Sequence, residues 1–198
     1  VNGETVGGVT LTSSGSVSNA SAGSYAIVPS NAAGGTFNPS NYSIIYSNGT
    51  LTVNAAALTV MANSTNKVYG AANPAFTASY AGFVNGDSVG VLSGSPSLTT
   101  TVTTNSGVGG YTIVATNGTL SAANYVFSFV NGALTVNAAT LTVTANNTSR
   151  LYNTANPTFT ASYSGFVNGE TTSVLSGLPS LITTAILSSP AGTYPINA

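Results

Sequence analysis

Chemistry in this chain has few residues to work with: Glu4, Asp87, Glu170, Lys67 and Arg150. They are the whole complement of three acidic and two basic residues in 198. With no His and no Cys, there is no imidazole base, no thiolate nucleophile and no soft metal ligand. The acids stand at one recurring position and the bases at another, each 83 residues from its copy. A single acid per repeat rules out paired-carboxylate catalysis inside a repeat. As a calcium ligand it would have only carbonyls to help it, whereas calcium sites gather several carboxylates. The reading preferred is structural, a helix-start acid or a partner in ion pairs drawn from Lys67, Asp87, Arg150 and Glu170. A Lys-to-Asn isopeptide bond assisted by Asp87 would need Lys67. Arg150 at the matching position cannot form one, because guanidinium stays protonated. We assign no catalytic, cofactor-binding or metal-ligating residue and expect no enzyme.

These residues are set out by an internal repeat, the first thing to seek in such a chain. Residues 124–146, NYVFSFVNGALTVNAATLTVTAN, restate residues 41–63, NYSIIYSNGTLTVNAAALTVMAN. Tyr42, Ile44 and Tyr46, like Tyr125, Phe127 and Phe129, alternate with their neighbours as strands do when one face meets a core. Asn48-Gly49 and Asn131-Gly132 follow, and Asn-Gly between apolar runs predicts a type I′ hairpin to the next Leu-Thr-Val. Another Leu-Thr-Val opens at Leu58 and Leu141 after only a few small residues, so the joint between modules has little slack. Boundaries follow: 1–57 is the C-terminal part of a repeat, 58–140 a complete repeat and 141–198 the N-terminal part of another. The segment Val1–Thr5 aligns with Val84–Ser88. The chain is thus expected to be a segment of a longer polypeptide.

Within a module, 58–62 and 141–145 predict an opening strand and 76–80 and 159–163 a second. Gly70 is replaced by Asn153 in the copy, two residue types that tolerate positive φ. Asn85-Gly86 and Asn168-Gly169 are turn or cap residues; Asn85 with Asp87 predicts one short helix over 85–94, with a polar loop as the alternative because Gly86 and Gly90 weaken a helix. Residues 97–104 predict a Thr-rich strand; 24–28, 110–114 and 193–197 predict another. The segment between Tyr25 and Asn41 departs most from its copy and is expected to be a loop.

Charged residues are 3% of the chain, against roughly 25% in an average domain. Two basic residues cannot make a nucleic-acid face. No apolar run approaches the 18 or so residues of a membrane span. The apolar fraction of 42% is too high for ordinary disorder.

The ordered series Leu-Thr-Val, Tyr-Gly, Asn-Pro, Gly-Phe-Val-Asn-Gly-Asp, Val-Leu-Ser-Gly, Gly-Tyr, Asn-Tyr and Asn-Gly-x-Leu-Thr-Val resembles the MBG-type repeats of bacterial surface proteins. Those repeats stand in tandem in large adhesins similar to filamentous haemagglutinin. The resemblance spans essentially the whole chain and departs at Asn153 and in the rearranged first repeat. It implies export, surface display, and adhesion or scaffolding, and it brings no catalytic residues.

The expected fold is therefore mostly β, a tandem array of small modules of about 83 residues, β-grasp-like or immunoglobulin-like. The expected role is the stalk or fibre of an extracellular bacterial adhesin, its partners being adjacent repeats. Two alternatives stand beside it: a fibre subunit joined to like chains by strand exchange, or a module binding a glycan or host protein. The ten tyrosines would suit glycan platforms, but their recurrence at strand spacing favours packing. The Thr-rich run is one strand, too little for a flat ice-binding face.

Overall fold

The computed structural model describes residues 3–198, so Val1 and Asn2 of the aligned opening segment lie outside the described residues. The fold is mostly β. Its strands are β1 (Val6–Thr12), β2 (Gly23–Gly35), β3 (Gly49–Val53), β4 (Ala56–Ala62), β5 (Thr65–Val68), β6 (Ala78–Ala81) and β7 (Ser97–Thr99). There follow β8 (Gly109–Thr116), β9 (Tyr125–Val130), β10 (Gly132–Asn137), β11 (Thr142–Ala145), β12 (Ala161–Ser164), β13 (Ile182–Thr183) and β14 (Ile196–Asn197). The chain divides into two compact units, and the division runs through the middle repeat.

The first unit holds residues up to 63, Phe76–Thr99 and Ile113–Gly132. Its sheets are β1-β2-β3, wholly antiparallel, and β6-β4-β9, in which β4 runs antiparallel to β6 and parallel to β9. Every second residue of β4 from Leu58 to Ala62 is buried, and Leu58 and Val60 are 0% exposed. Ile113, Ala115, Leu120 and Tyr125 are the other buried apolar residues of this unit. Full burial of a Leu, Val or Ile side chain is worth about 1.5–3 kcal/mol.

The second unit holds Ser64–Ala75, Thr100–Thr112 and Ala133–Ala198. Here β10 pairs in parallel with β5, matching Leu134 to Thr65 and Val136 to Lys67. Leu134, Val136 and Val102 are buried, and β11 and β12 form an antiparallel pair.

Among the described residues, all buried apolar side chains fall between Leu58 and Val136, within the middle repeat. Identical residues in the flanking copies are less covered: Val60 is 0% exposed and its counterpart Val143 is 37% exposed. Pairing explains the difference, because the middle repeat holds both members of the parallel pairs β4–β9 and β5–β10.

Several expectations are corrected. Asn131-Gly132 makes no type I′ hairpin: neither residue has positive φ, and β9 and β10 join different sheets. Nor do Asn48 and Gly49 take positive φ, and Gly49 opens β3. The paired positive φ that type I′ requires occurs instead at Asn85-Gly86 (+55° and +79°) and Asn168-Gly169 (+54° and +75°). These turns close with Asp87 N–H to the Val84 carbonyl at 3.0 Å and Glu170 N–H to the Val167 carbonyl at 2.9 Å.

No α-helix follows: residues Val89–Val91 and Thr172–Val174 form single 3-10 turns, because the hairpin-type turn bends the chain before a helix can start. Residues 42–47 form no strand, since β4, the partner of their copy β9, has no counterpart for them in these 198 residues. The Thr-rich strand is confined to Ser97–Thr99. Beyond it, threonine and serine hydroxyls bond the backbone, as Thr100 Oγ1 does to the Thr112 carbonyl at 2.9 Å, and such bonds compete with a ladder. The divergent segment after Tyr25 is strand as far as Gly35, paired with β1 from Val6 to Thr12.

Replacing Leu58 or Leu134 with Ala is expected to cost about 2–5 kcal/mol in urea unfolding, the range for buried Leu. Leu151→Ala, at a side chain 79% exposed, is expected to stay within about 0.5 kcal/mol.

Candidate functional site

The charged residues are positioned by the turns and strands just described, and each finds an uncharged partner. Asp87 closes the turn after Asn85-Gly86, and its Oδ2 accepts the Tyr125 hydroxyl proton at 2.7 Å. Tyr125 is buried at the start of β9, its ring edge-on to Phe83 at 5.7 Å between centroids. Its hydroxyl oxygen also accepts the Val84 N–H at 3.1 Å. One hydroxyl thus ties both ends of the turn to the strand.

The same bond occurs in the first copy, where the Tyr42 hydroxyl donates to Glu4 Oε2. Both pairs are 38 residues apart. Glu170 is held differently. Its Oε1 accepts the hydroxyl of Tyr69 at 2.7 Å, 101 residues earlier in the chain and in the preceding repeat. Around it, Asn168 Nδ2 and the Gly70 N–H both donate to the Thr104 carbonyl at 3.2 Å.

Gly70 takes φ of +85° and Asn153 +62°. A Cβ added at Gly70 would stand 2.6 Å from Val167 Cβ. That position therefore combines a left-handed backbone with close approach, and both demand glycine.

The bases bind carbonyls. Lys67, buried at 6% exposure, donates from Nζ to Thr103 at 2.6 Å and Ala71 at 3.0 Å. Arg150 repeats this in the next copy, donating to the Ile186 carbonyl and, through Nε, to Asn156 Oδ1 at 2.7 Å. Asn73 and Asn156 brace the same loops, donating to the Val102 and Ala185 carbonyls at 2.7 and 2.8 Å. The ion pairing expected of Lys67, Asp87, Arg150 and Glu170 thus gives way to bonds with neutral groups. Among the described residues no hydrogen bond joins a base to an acid. Burying a base among fixed carbonyl dipoles satisfies its donors without bringing in a second ion to desolvate.

Tyrosine also anchors another loop in all three copies. The hydroxyls of Tyr25, Tyr111 and Tyr194 donate to the carbonyls of Ser21, Gly107 and Pro190 at 2.7, 2.9 and 3.0 Å. The acid–tyrosine pairs escaped sequence reasoning. Their signal was present, since Glu4 to Tyr42 and Asp87 to Tyr125 share one separation.

Two clefts adjoin these groups. One of about 230 Å³ in the first unit is lined by Ser18, Val84, Asn85, Asp87, Asn124 and Tyr125, among others. The second, of about 580 Å³ in the second unit, is lined by Arg150, Tyr152, Phe159 and Tyr194, among others.

A tandem β-repeat whose recurring polar residues brace its own loops is a structural repeat. The model of the MBG domain of YGX type matches residues 1–52, 58–135 and 141–198. The chain belongs to this family, which it matches over three consecutive segments. Comparison with curated proteins and with solved structures gives no match.

The Tyr42 hydroxyl is held above the ordinary tyrosine value by its bond to Glu4, with burial and the carboxylate charge adding to the effect. Burial raises Tyr125 most; the backbone bond to Val84, next in size, opposes it, and the bond to Asp87 and its charge add to the rise. The unfolded chain releases these protons near pH 10, while the folded chain holds them to higher pH. Between the two values the unfolded state binds fewer protons, so stability is full below about pH 10 and falls as pH rises above it. Ultraviolet titration of tyrosinate absorbance is expected to show Tyr42 and Tyr125 lagging behind free tyrosine. Tyr42→Phe with Tyr125→Phe should remove the lag; a wild-type titration with no lagging component would contradict it.

Proposed function

We propose that the chain is a structural segment of a bacterial surface adhesin, its repeats forming a stalk or fibre outside the cell. The observation that carries this reading is the run of three family matches in tandem over nearly the whole chain. The polar chemistry agrees with it: acids, bases and recurrent tyrosines all serve to hold loops of the repeat in place. With a net charge of −1, such repeats neither repel one another strongly nor depend on salt to stay together. The partners on this reading are adjacent repeats, joined near residues 57–58 and 140–141. Recognition of matrix or host glycans would belong to other parts of the adhesin.

A second reading, assembly of like chains into a fibre, is favoured by the cleft of about 580 Å³ in the third copy. Residues 148–151, which match β5, form no strand there. A β10-like strand from a neighbour would supply the parallel partner that β5 has in the middle repeat.

The test is the intact mass of the native polypeptide together with protease shaving of whole cells. The expected result is a mass many times 19.5 kDa, further copies of the 83-residue repeat, and repeat peptides released from the cell surface. A native mass near 19.5 kDa, or release only after lysis, would overturn the stalk.

A further inference from the structure

The cleft beside Asp87 has the same parts as a site that is filled elsewhere in the chain. In the filled site, Tyr69-Gly70 lies against Val167, Asn168 and Glu170, with the Thr104 carbonyl receiving both Asn168 Nδ2 and the Gly70 N–H. Moving back by one repeat, these become Val84, Asn85 and Asp87, all three in the wall of the cleft. Ser18 supplies the fourth part. It stands seven residues before the loop-anchoring Tyr25, as Thr104 stands seven before Tyr111, and it too lines the cleft.

Exposure separates the filled site from the open one. Val167 and Tyr69 are half-buried, whereas Val84 is 47% exposed and Tyr152, the copy of Tyr69, is 66% exposed. Tyr125 bonds Oδ2 of Asp87, and Oδ1 receives no hydrogen bond among the described residues. The carboxylate has room for a second hydroxyl.

We propose that this cleft is the seat of a Tyr-Gly turn from a preceding repeat, whose tyrosine hydroxyl bonds Asp87. The inference rests on the tandem-array reading above and deepens it by naming the contact between consecutive repeats. In the array each acid receives two tyrosine protons, one from its own repeat and one from the repeat before. The glycine sets the specificity. A Cβ at Gly70 would meet Val167 Cβ at 2.6 Å, so the Tyr152-Asn153 turn of a second copy of this chain does not fit a valine-walled seat. The replacement at Asn153 makes that turn a poor plug for this chain's own clefts and so opposes head-to-tail association of loose copies.

The test titrates the isotope-labelled full chain with a peptide of residues 66–74, NKVYGAANP, followed by NMR. Concentrations up to about 5 mM match the effective concentration that a short covalent tether provides. The expected result is saturable shifts confined to the amides of Ser18 and residues 84–87. The shifts are lost with the Gly70→Asn peptide and weakened at least several-fold with the Tyr69→Phe peptide. Absence of saturable shifts, or equal shifts with either variant peptide, would overturn the proposal. The native mass decides the array independently, so a failed titration with a large native mass rejects the seat and leaves the array standing.

Discussion

A neutral tyrosine hydroxyl donating to a lone carboxylate is the contact on which the repeat's geometry depends. The chain has three acids and two bases, too few for the mutual pairing that ordinary surfaces use. Asp87 and Glu170 instead close tight Asn-Gly turns, and all three acids are received by a tyrosine. At Asp87 this tyrosine opens β9 and packs edge-on against Phe83, so one side chain joins turn, strand and aromatic cluster. A hydrogen bond to an ionised acceptor is shorter and stronger than one between neutral groups. It also asks for only one ion to be partly desolvated, whereas a buried ion pair asks for two.

Around that contact, the completeness of strand pairing decides how well the same letters are buried. Leu58 and Val60 are sealed because β4 has β6 on one side and β9 on the other. Val143, the copy of Val60, lies on β11, which pairs only with β12, and Leu141, the copy of Leu58, stands just before that strand. Burial here belongs to the arrangement of strands and cannot be assigned residue by residue from hydrophobicity. Lys67 and Arg150 make the complementary point. Two different cations with different donor geometry brace one loop position through carbonyls 83 residues apart, at Thr103 and Ile186.

Much of this was legible in the sequence. The period, the β class and the strands around Leu58, Ala78, Tyr111 and Leu134 follow from repetition and alternation. The Asn-Gly signal was read in the right terms but at the wrong place. Asn131-Gly132 lies where the chain leaves one sheet for another, while Asn85-Gly86 makes the tight turn. Local propensity is the same at both, and only pairing with β4 and β5 distinguishes them. The helix expected after Asn85 failed for the same reason, since a turn with positive φ at two residues cannot begin one. The tyrosine partners of the acids were hidden because contacts 38 and 101 residues away leave no local pattern.

The most direct measurement of the central contact is a double-mutant cycle with Asp87→Asn and Tyr125→Phe, followed by urea unfolding of the full chain. If the tyrosine–carboxylate bond organises the turn, each single change destabilises and the double change costs clearly less than the two together, because both remove one interaction. Costs that simply add would show that Asp87 and Tyr125 act independently, and would contradict the account.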